Sequence, residues 1–258
     1  MQHFFYNALF RMGVDLIIFI FMKAVTFADR RSAKLMQIHY IRPMNESNTP
    51  TQWLPLFPLG TVLFPGGVIS LKIFEARYLD LFKRCLKDQT PFGVISIFEE
   101  NEPSSGEAPQ MRFAKIGTLA MLEDFDPIQP ALYMTKSFGT QRFTLLDTKQ
   151  EPDGLWLGQI ALLDNDSSIP VPEEHRSISA LLNELIQVIS SNELLGDSLF
   201  KQPYKLDDCA WVSNRLAELL PIPLIQKNHL LSQTNPRIRL DLVSEIIGDQ
   251  DINSLIIH

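Results

Sequence analysis

The sequence predicts an α+β protein: a small, closed or partly closed β-barrel with one early helix, followed by a helical bundle. Three observations carry this. Between Trp53 and Leu163, short apolar runs recur with strand-like alternation, separated by Gly, Pro and Asp. Asp164–Pro172, DNDSSIPVP, then changes the composition to that of a linker. Beyond it the apolar residues recur at helical spacing. Strands first and helices afterwards is segregation, and closing the sheet removes exposed edges.

The elements follow in order. Leu54–Leu59, LPLFPL, reads as a bulged edge or first strand, because proline cannot donate to a ladder. Pro65-Gly66-Gly67 is a turn, and Val68–Ile73, VISLKI, is a strand. Glu75–Lys87 is a helix with Tyr78, Phe82, Cys85 and Leu86 on one apolar stripe. Val94–Phe98 is a strand, and Glu99–Gln110 is a solvated acidic loop. Phe113–Phe125 contains another strand, ended by Asp124-Phe125-Asp126-Pro127. Leu132–Phe138, Arg142–Asp147 and Leu155–Leu163 are three more, with turns at Gly139-Thr140 and Pro152-Asp153-Gly154. A helix over residues 173–190 buries Ile178, Leu181, Leu182, Leu185, Ile186 and Ile189. Asp207–Leu219 is a second helix, capped by Asp207 or Asp208. Leu224–Gln233 is a third. Asn235-Pro236 starts a fourth, with Ile238, Leu242, Val243 and Ile246 facing inward. The domains are therefore residues 1–52 (extension and linker), 53–165 (barrel) and 173–250 (bundle).

Of the 258 residues, 45% are hydrophobic and 21% charged, enough to build a sizeable core. Charge is uneven. Residues 1–50 hold six Lys/Arg against three Asp/Glu, and residues 51–258 hold 17 against 27, a net of −10. Binding to a phosphate backbone needs clustered cations, so nucleic acid is disfavoured. Two cysteines, Cys85 and Cys209, are too few for a disulfide framework or a four-cysteine zinc site. No two of the five histidines have metal-ligand spacing. Neither a metal nor a cofactor is expected. Leu16–Met22, LIIFIFM, is seven residues long, against about 20 for a spanning helix, so no stable membrane insertion is expected. Three readings of residues 1–49 stand open: an over-extended translation start with Met36 or Met44 as first residue, a peripheral amphipathic or anchoring segment, or an export signal.

Leu54-Pro55-Leu56-Phe57-Pro58-Leu59, Val62-Leu63-Phe64-Pro65-Gly66 and Phe74-Glu75-Ala76-Arg77-Tyr78 together resemble the signature of the N-terminal domain of ATP-dependent Lon proteases. Stand-alone bacterial proteins of that domain alone carry the same segment. Phe92-Gly93-Val94, Ile116-Gly117-Thr118, Gly139–Phe143, Leu216–Pro221, Lys227–Leu231 and Arg237–Leu242 extend the likeness to about three-quarters of the chain. The resemblance implies a PUA-like barrel with a helical companion and a cytoplasmic, proteolysis-related role in engaging unfolded or degron-bearing polypeptides. A full-length Lon protease is a candidate partner on the same resemblance. The resemblance implies no catalysis: the sequence has no G-x-x-x-x-G-K-[ST] phosphate loop.

The residues support a non-catalytic polypeptide-binding module, with Phe64, Pro65, Phe74 and Phe125 as candidate contacts in a groove between barrel and helices. Pro58, Gly66, Glu75, Arg77, Tyr78, Gly93, Gly117 and Arg142 read as fold-specifying. Glu75 favours the first helical turn, and Arg77 is expected to pair with a barrel carboxylate or carbonyl. The alternative is an RNA-binding PUA-like module, which the −10 balance opposes. An enzyme rests on weak motifs only. Ser198 in Gly196-Asp197-Ser198-Leu199 reads as a connection between helices, since no base adjoins it in sequence. Oligomeric state is not encoded in any recognisable pattern.

Overall fold

The computed structural model describes residues 51–98, 112–191 and 199–256. Residues 1–50, the acidic loop and Ser198 lie outside the described residues, and Thr51 and Gln52, expected in the linker, belong to the first strand. Seven strands and five helices occur among them: β1 (Thr51–Leu59), β2 (Val68–Ile73), α1 (Ala76–Asp88), β3 (Phe92–Phe98), β4 (Arg112–Phe113), β5 (Ile116–Gln129), β6 (Leu132–Gln150), β7 (Trp156–Leu162), α2 (Arg176–Ser190), α3 (Cys209–Leu219), α4 (Leu224–Ser232) and α5 (Pro236–Ile256).

The sheet is mixed, and its pairing path returns to its start. β1 pairs β7, β7 pairs β6, β6 pairs β5 and β5 pairs β3, all antiparallel. β3 then pairs β1 in parallel. β2 lies alongside β6, and β4 alongside β3. β1, expected as an edge or first strand, is the first strand and closes the circuit, with each half paired on one side only. The reason is a change of partner at Leu56. Residues 51–56 pair β7, and residues 56–59 pair β3. Pro55 and Pro58 each fall in a half with one unpaired flank, where a missing N–H leaves no ladder bond unmade.

Two further expectations are corrected. Gly139-Thr140 is not a turn, because β6 runs unbroken through it. The irregularity is a bulge in β6 itself: three residue steps, Gly139 to Arg142, oppose two on β5, Ala120 to Thr118. Nor does Asp124–Pro127 end β5, which continues to Gln129, where Ala131 takes a left-handed conformation (φ 60°) in the tight turn to β6.

Three apolar clusters result. One lies within the circuit of strands, around Leu56, Ile95, Leu119, Phe143 and Ile160. A second is sealed by α1, whose Tyr78, Leu79, Leu81, Phe82 and Cys85 are buried, while Leu86 is exposed. The third joins the helices, through Leu182, Leu185, Val212, Leu216 and Val243. On α5 the expected inward Ile238 is exposed, because the inward positions hold Arg239, Leu240 and Val243.

Arg239 belongs to a buried polar hub. Asp166, from the segment between β7 and α2, accepts from Arg142 Nη2 at 2.7 Å and from Arg239 Nη1 at 2.6 Å. Arg142 also donates to the Leu231 and Gln233 carbonyls at 2.9 and 2.7 Å. Arg239 donates to the Leu230 carbonyl at 3.1 Å, the Asn214 amide oxygen at 2.9 Å and the Gln233 carbonyl. The carbonyls at and beyond the end of α4 supply the negative potential that one carboxylate cannot give two cations. Burial draws the Arg142 guanidinium pKa down, Asp166 opposes this, and Arg239 adds to it.

Asp166→Ala strands two buried guanidinium groups, so urea unfolding should register a loss of about 3–5 kcal/mol. Asp208→Ala removes the α3 N-cap that accepts from the Trp211 amide and should cost about 1 kcal/mol. Comparable losses for the two would refute the hub's special weight.

Candidate functional site

Val62, Leu63 and Phe64 alternate across a seam. Val62 and Phe64 enter the helical cluster, and Leu63 enters the cluster beneath α1. The turn that follows is clamped from both sides. Gly66 donates to the Gly139 carbonyl, and Gly139 donates back to Gly67, both at 2.8 Å. A Cβ on Gly139 would lie 2.4 Å from the Phe64 carbonyl oxygen, and one on Gly67 would lie 2.0 Å from Glu218 Oε1. These two glycines therefore permit the approach of turn, strand and helix. From α3, Arg215 Nη2 and Asn214 Nδ2 donate to the Pro65 carbonyl at 3.0 and 3.4 Å. The Phe64 amide donates to Glu218 Oε1 at 3.3 Å. Arg215 pairs with Glu218 at 3.0 Å, and Lys227 Nζ donates to the Glu218 backbone carbonyl at 2.8 Å.

The four candidate contact residues therefore separate. Phe64 is 0% exposed, and the Pro65 carbonyl is bonded to α3, so the space between sheet and helices is filled by the chain itself. Phe74 and Phe125 lie elsewhere, at the far end of the β2–β6–β5 sheet. Phe125 stacks on Tyr133 at 4.3 Å and is 6.4 Å from Phe82, which roots it in the α1 cluster. Phe74 is 61% exposed. It follows Ile73, which pairs Tyr133, and Tyr133 in turn pairs Pro127. Ile128, 50% exposed, thus shares that end of the sheet. Asp124-Phe125-Asp126-Pro127 marked a strand end just before it in the sequence, and nothing distinguished Ile128 from a buried isoleucine.

At the opposite end of β2 lies a cleft of about 220 Å³ between the sheet and the segment entering α3. Val68, Glu123, Lys136, Phe200, Lys201 and Tyr204 line it. Lys201 Nζ is 2.7 Å from Glu123 Oε1 and 3.8 Å from the Phe138 ring centre. Lys136 Nζ is 3.9 Å from Glu123 Oε2. Phe200 forms an antiparallel bridge with Gly67, just before β2. No sequence pattern pointed to this cleft, because its residues are drawn from four separated segments.

The remaining singled-out residues have structural surroundings. Arg77 donates to the Gly154 carbonyl at 2.7 Å and pairs with Glu75, the α1 N-cap residue, at 2.6 Å. Tyr78 packs against Phe57 at 4.5 Å. Pro58 lies in the β3-paired half of β1. Gly66 takes φ 77° at the clamped turn. Gly93 and Gly117 both face Phe143, 3.1 and 2.4 Å from where a Cβ would meet its Cζ. Both cysteines are buried free thiols, and burial raises their pKa values. No helix among the described residues is long and apolar enough to cross a membrane.

By class the chain is a mixed sheet with helices packed against it, and one end of the sheet exposes large apolar side chains. Residues 53–249 match the family described as the ATP-dependent protease La (LON) substrate-binding domain, and the chain belongs to that family. The match is to this domain and not to the family's protease or ATPase domains. A crystal structure of a Lon N-terminal domain protein from Xanthomonas campestris is 32% identical, covers 74% of this chain and 96% of its own, and superposes with a TM-score of 0.58. The N-terminal domain of a Mycobacterium avium complex Lon protease shares the fold at 14% identity, over 77% of this chain and 99% of its own, with a TM-score of 0.53. Lon protease 2 of Myxococcus xanthus is 25% identical over 210 residues, 80% of this chain. The chain spans about a quarter, 24%, of that relative's length.

Glu218 makes the seam sensitive to pH. Burial raises its pKa from 4.5 to about 7, against the opposing pulls of Arg215, the Phe64 amide and Lys227. A raised folded-state pKa means that the native protein holds a proton the unfolded chain has released. Stability should therefore fall as pH rises from 4.5 to about 7 and then level off. Glu218→Gln should remove this slope, as read by urea midpoints across that range. Parallel profiles for the two proteins would show Glu218 to be ionised in the fold throughout.

Proposed function

We propose that the chain is a non-catalytic polypeptide-binding module, related to the Lon substrate-binding domain and carrying neither ATPase nor peptidase chemistry. The observation that carries this reading is the exposure of Phe74 and Ile128, two large apolar side chains at the same end of the sheet on either side of β6. Fixed apolar anchors bind an extended apolar segment without first having to order themselves. Tyr133, the ladder partner of Ile73 and Pro127, stacks on Phe125 and ties this end of the sheet to the α1 cluster. Among the described residues β2 is laddered to β6 alone, so main-chain bonds along β2 can add to the side-chain contacts.

In this reading the circuit of strands over 53–165 is a PUA-like barrel and the helices over 173–250 its companion bundle. Of the four candidate contacts, Phe74 forms the binding surface together with Ile128, Phe125 braces it from the α1 cluster, and Phe64 and Pro65 serve the seam instead. The ligands are unfolded or degron-bearing polypeptides in the cytoplasm, and a full-length Lon protease is the enzyme such a module would serve.

A reduced, permanently unfolded test protein should bind the purified chain in a fluorescence anisotropy titration. Phe74→Asp should weaken that binding about tenfold or more with an unchanged melting temperature, because the ring is exposed. Absence of binding by the unmodified chain, or full affinity in the variant, would overturn the proposal.

A further inference from the structure

The two ends of β2 differ chemically, and the difference has a direction. One end carries Phe74 and Ile128, and the other opens on the cleft holding Lys136 and Lys201. β2 has six residues, so the ends are about 17 Å apart, the length of a five- or six-residue extended segment. We propose that the cleft receives the C-terminal carboxylate of the polypeptide whose preceding apolar residues lie against Phe74 and Ile128. The inference rests on the polypeptide-binding reading above and names the class of polypeptide.

Two features argue for a chain end. The Phe200–Gly67 bridge occupies the position just before β2, so a segment lying along β2 meets the protein's own backbone there and stops. Among the residues lining the cleft the charge is unbalanced: two ammonium groups face one carboxylate, Glu123, at 2.7 and 3.9 Å, and Asp124, the ladder partner of Lys136, is outside the lining. This net positive charge stands out in a region whose overall balance is −10. A carboxylate completes the set, whereas an N-terminal ammonium would bring a third cation against a single anion. Lys201 is held over the Phe138 ring at 3.8 Å, which keeps its ammonium at the cleft with little ordering left to do on binding. Tyr204 offers a hydroxyl donor from the same wall. A C-terminus arriving at Val68 runs antiparallel to β2, the orientation that also matches the Phe200–Gly67 bridge.

The test uses the full chain and a fluorescent peptide whose last six residues are apolar. The peptide is made as the free acid, as the C-terminal amide, and with a Gly-Ser extension. The free acid should bind about tenfold more tightly than the other two. Glu123→Gln should widen the acid-to-amide ratio, and Lys136→Ala should bring it towards one. A cleft that merely braces the segment before α3 would shift both peptides alike. Equal affinity for acid and amide, or a ratio that neither variant moves, overturns the inference and leaves polypeptide binding standing. Loss of all binding, the unfolded test protein included, overturns both.

Discussion

Asp166 is the point through which the sheet and the helices are held in one arrangement. Its carboxylate is shared by Arg142 from β6 and Arg239 from α5, and both guanidinium groups are almost wholly buried. Two buried cations and one anion do not balance. The structure resolves this by aiming the Leu230, Leu231 and Gln233 carbonyls at the same place. Those carbonyls are at the end of α4 and just beyond it, where intrahelical partners run out. The end of α4 and the cation pair therefore satisfy each other, and neither is stable in isolation. Any relative shift of strand, linker and helix would leave a buried charge uncompensated, which is why the hub specifies position as well as contributing stability.

The seam around Phe64–Gly67 depends on that placement. With α3 fixed, Glu218 and Arg215 meet the backbone of the turn, and Gly139 meets it from the other side. The turn is gripped on both faces, with no room for a Cβ at Gly67 or at Gly139 of the facing strand. This explains why the region between sheet and helices is closed. The apolar surface that remains is at the distant end of β2, beside α1 and away from the C-terminal helices.

Much of this was legible in the sequence. The period change at Asp164–Pro172 marks the passage from strands to helices, the caps at Asp208 and Asn235 are where the local pattern places them, and α1 starts after Glu75. The failures have physical causes. Gly139-Thr140 looks like a turn locally, but its backbone is needed in a ladder with both Gly66 and Gly67. Ile238 looks inward by composition, but the hub claims that face of α5 for Arg239. Phe64 and Phe74 look alike as apolar residues beside a turn, and only packing makes one fully buried and the other 61% exposed.

By itself the sequence determined the order of elements, the apolar faces, the prolines and glycines that shape β1 and the turn after it, and the family likeness. Those properties are local or periodic, set by backbone geometry and side-chain alternation within a few residues. Only the tertiary structure decided that a linker aspartate is the buried counter-ion of two arginines, that a helical glutamate closes the seam, and that β2 has an apolar end and a cationic end. Each of these depends on residues far apart in the chain meeting where water is excluded, and no local pattern records such a meeting.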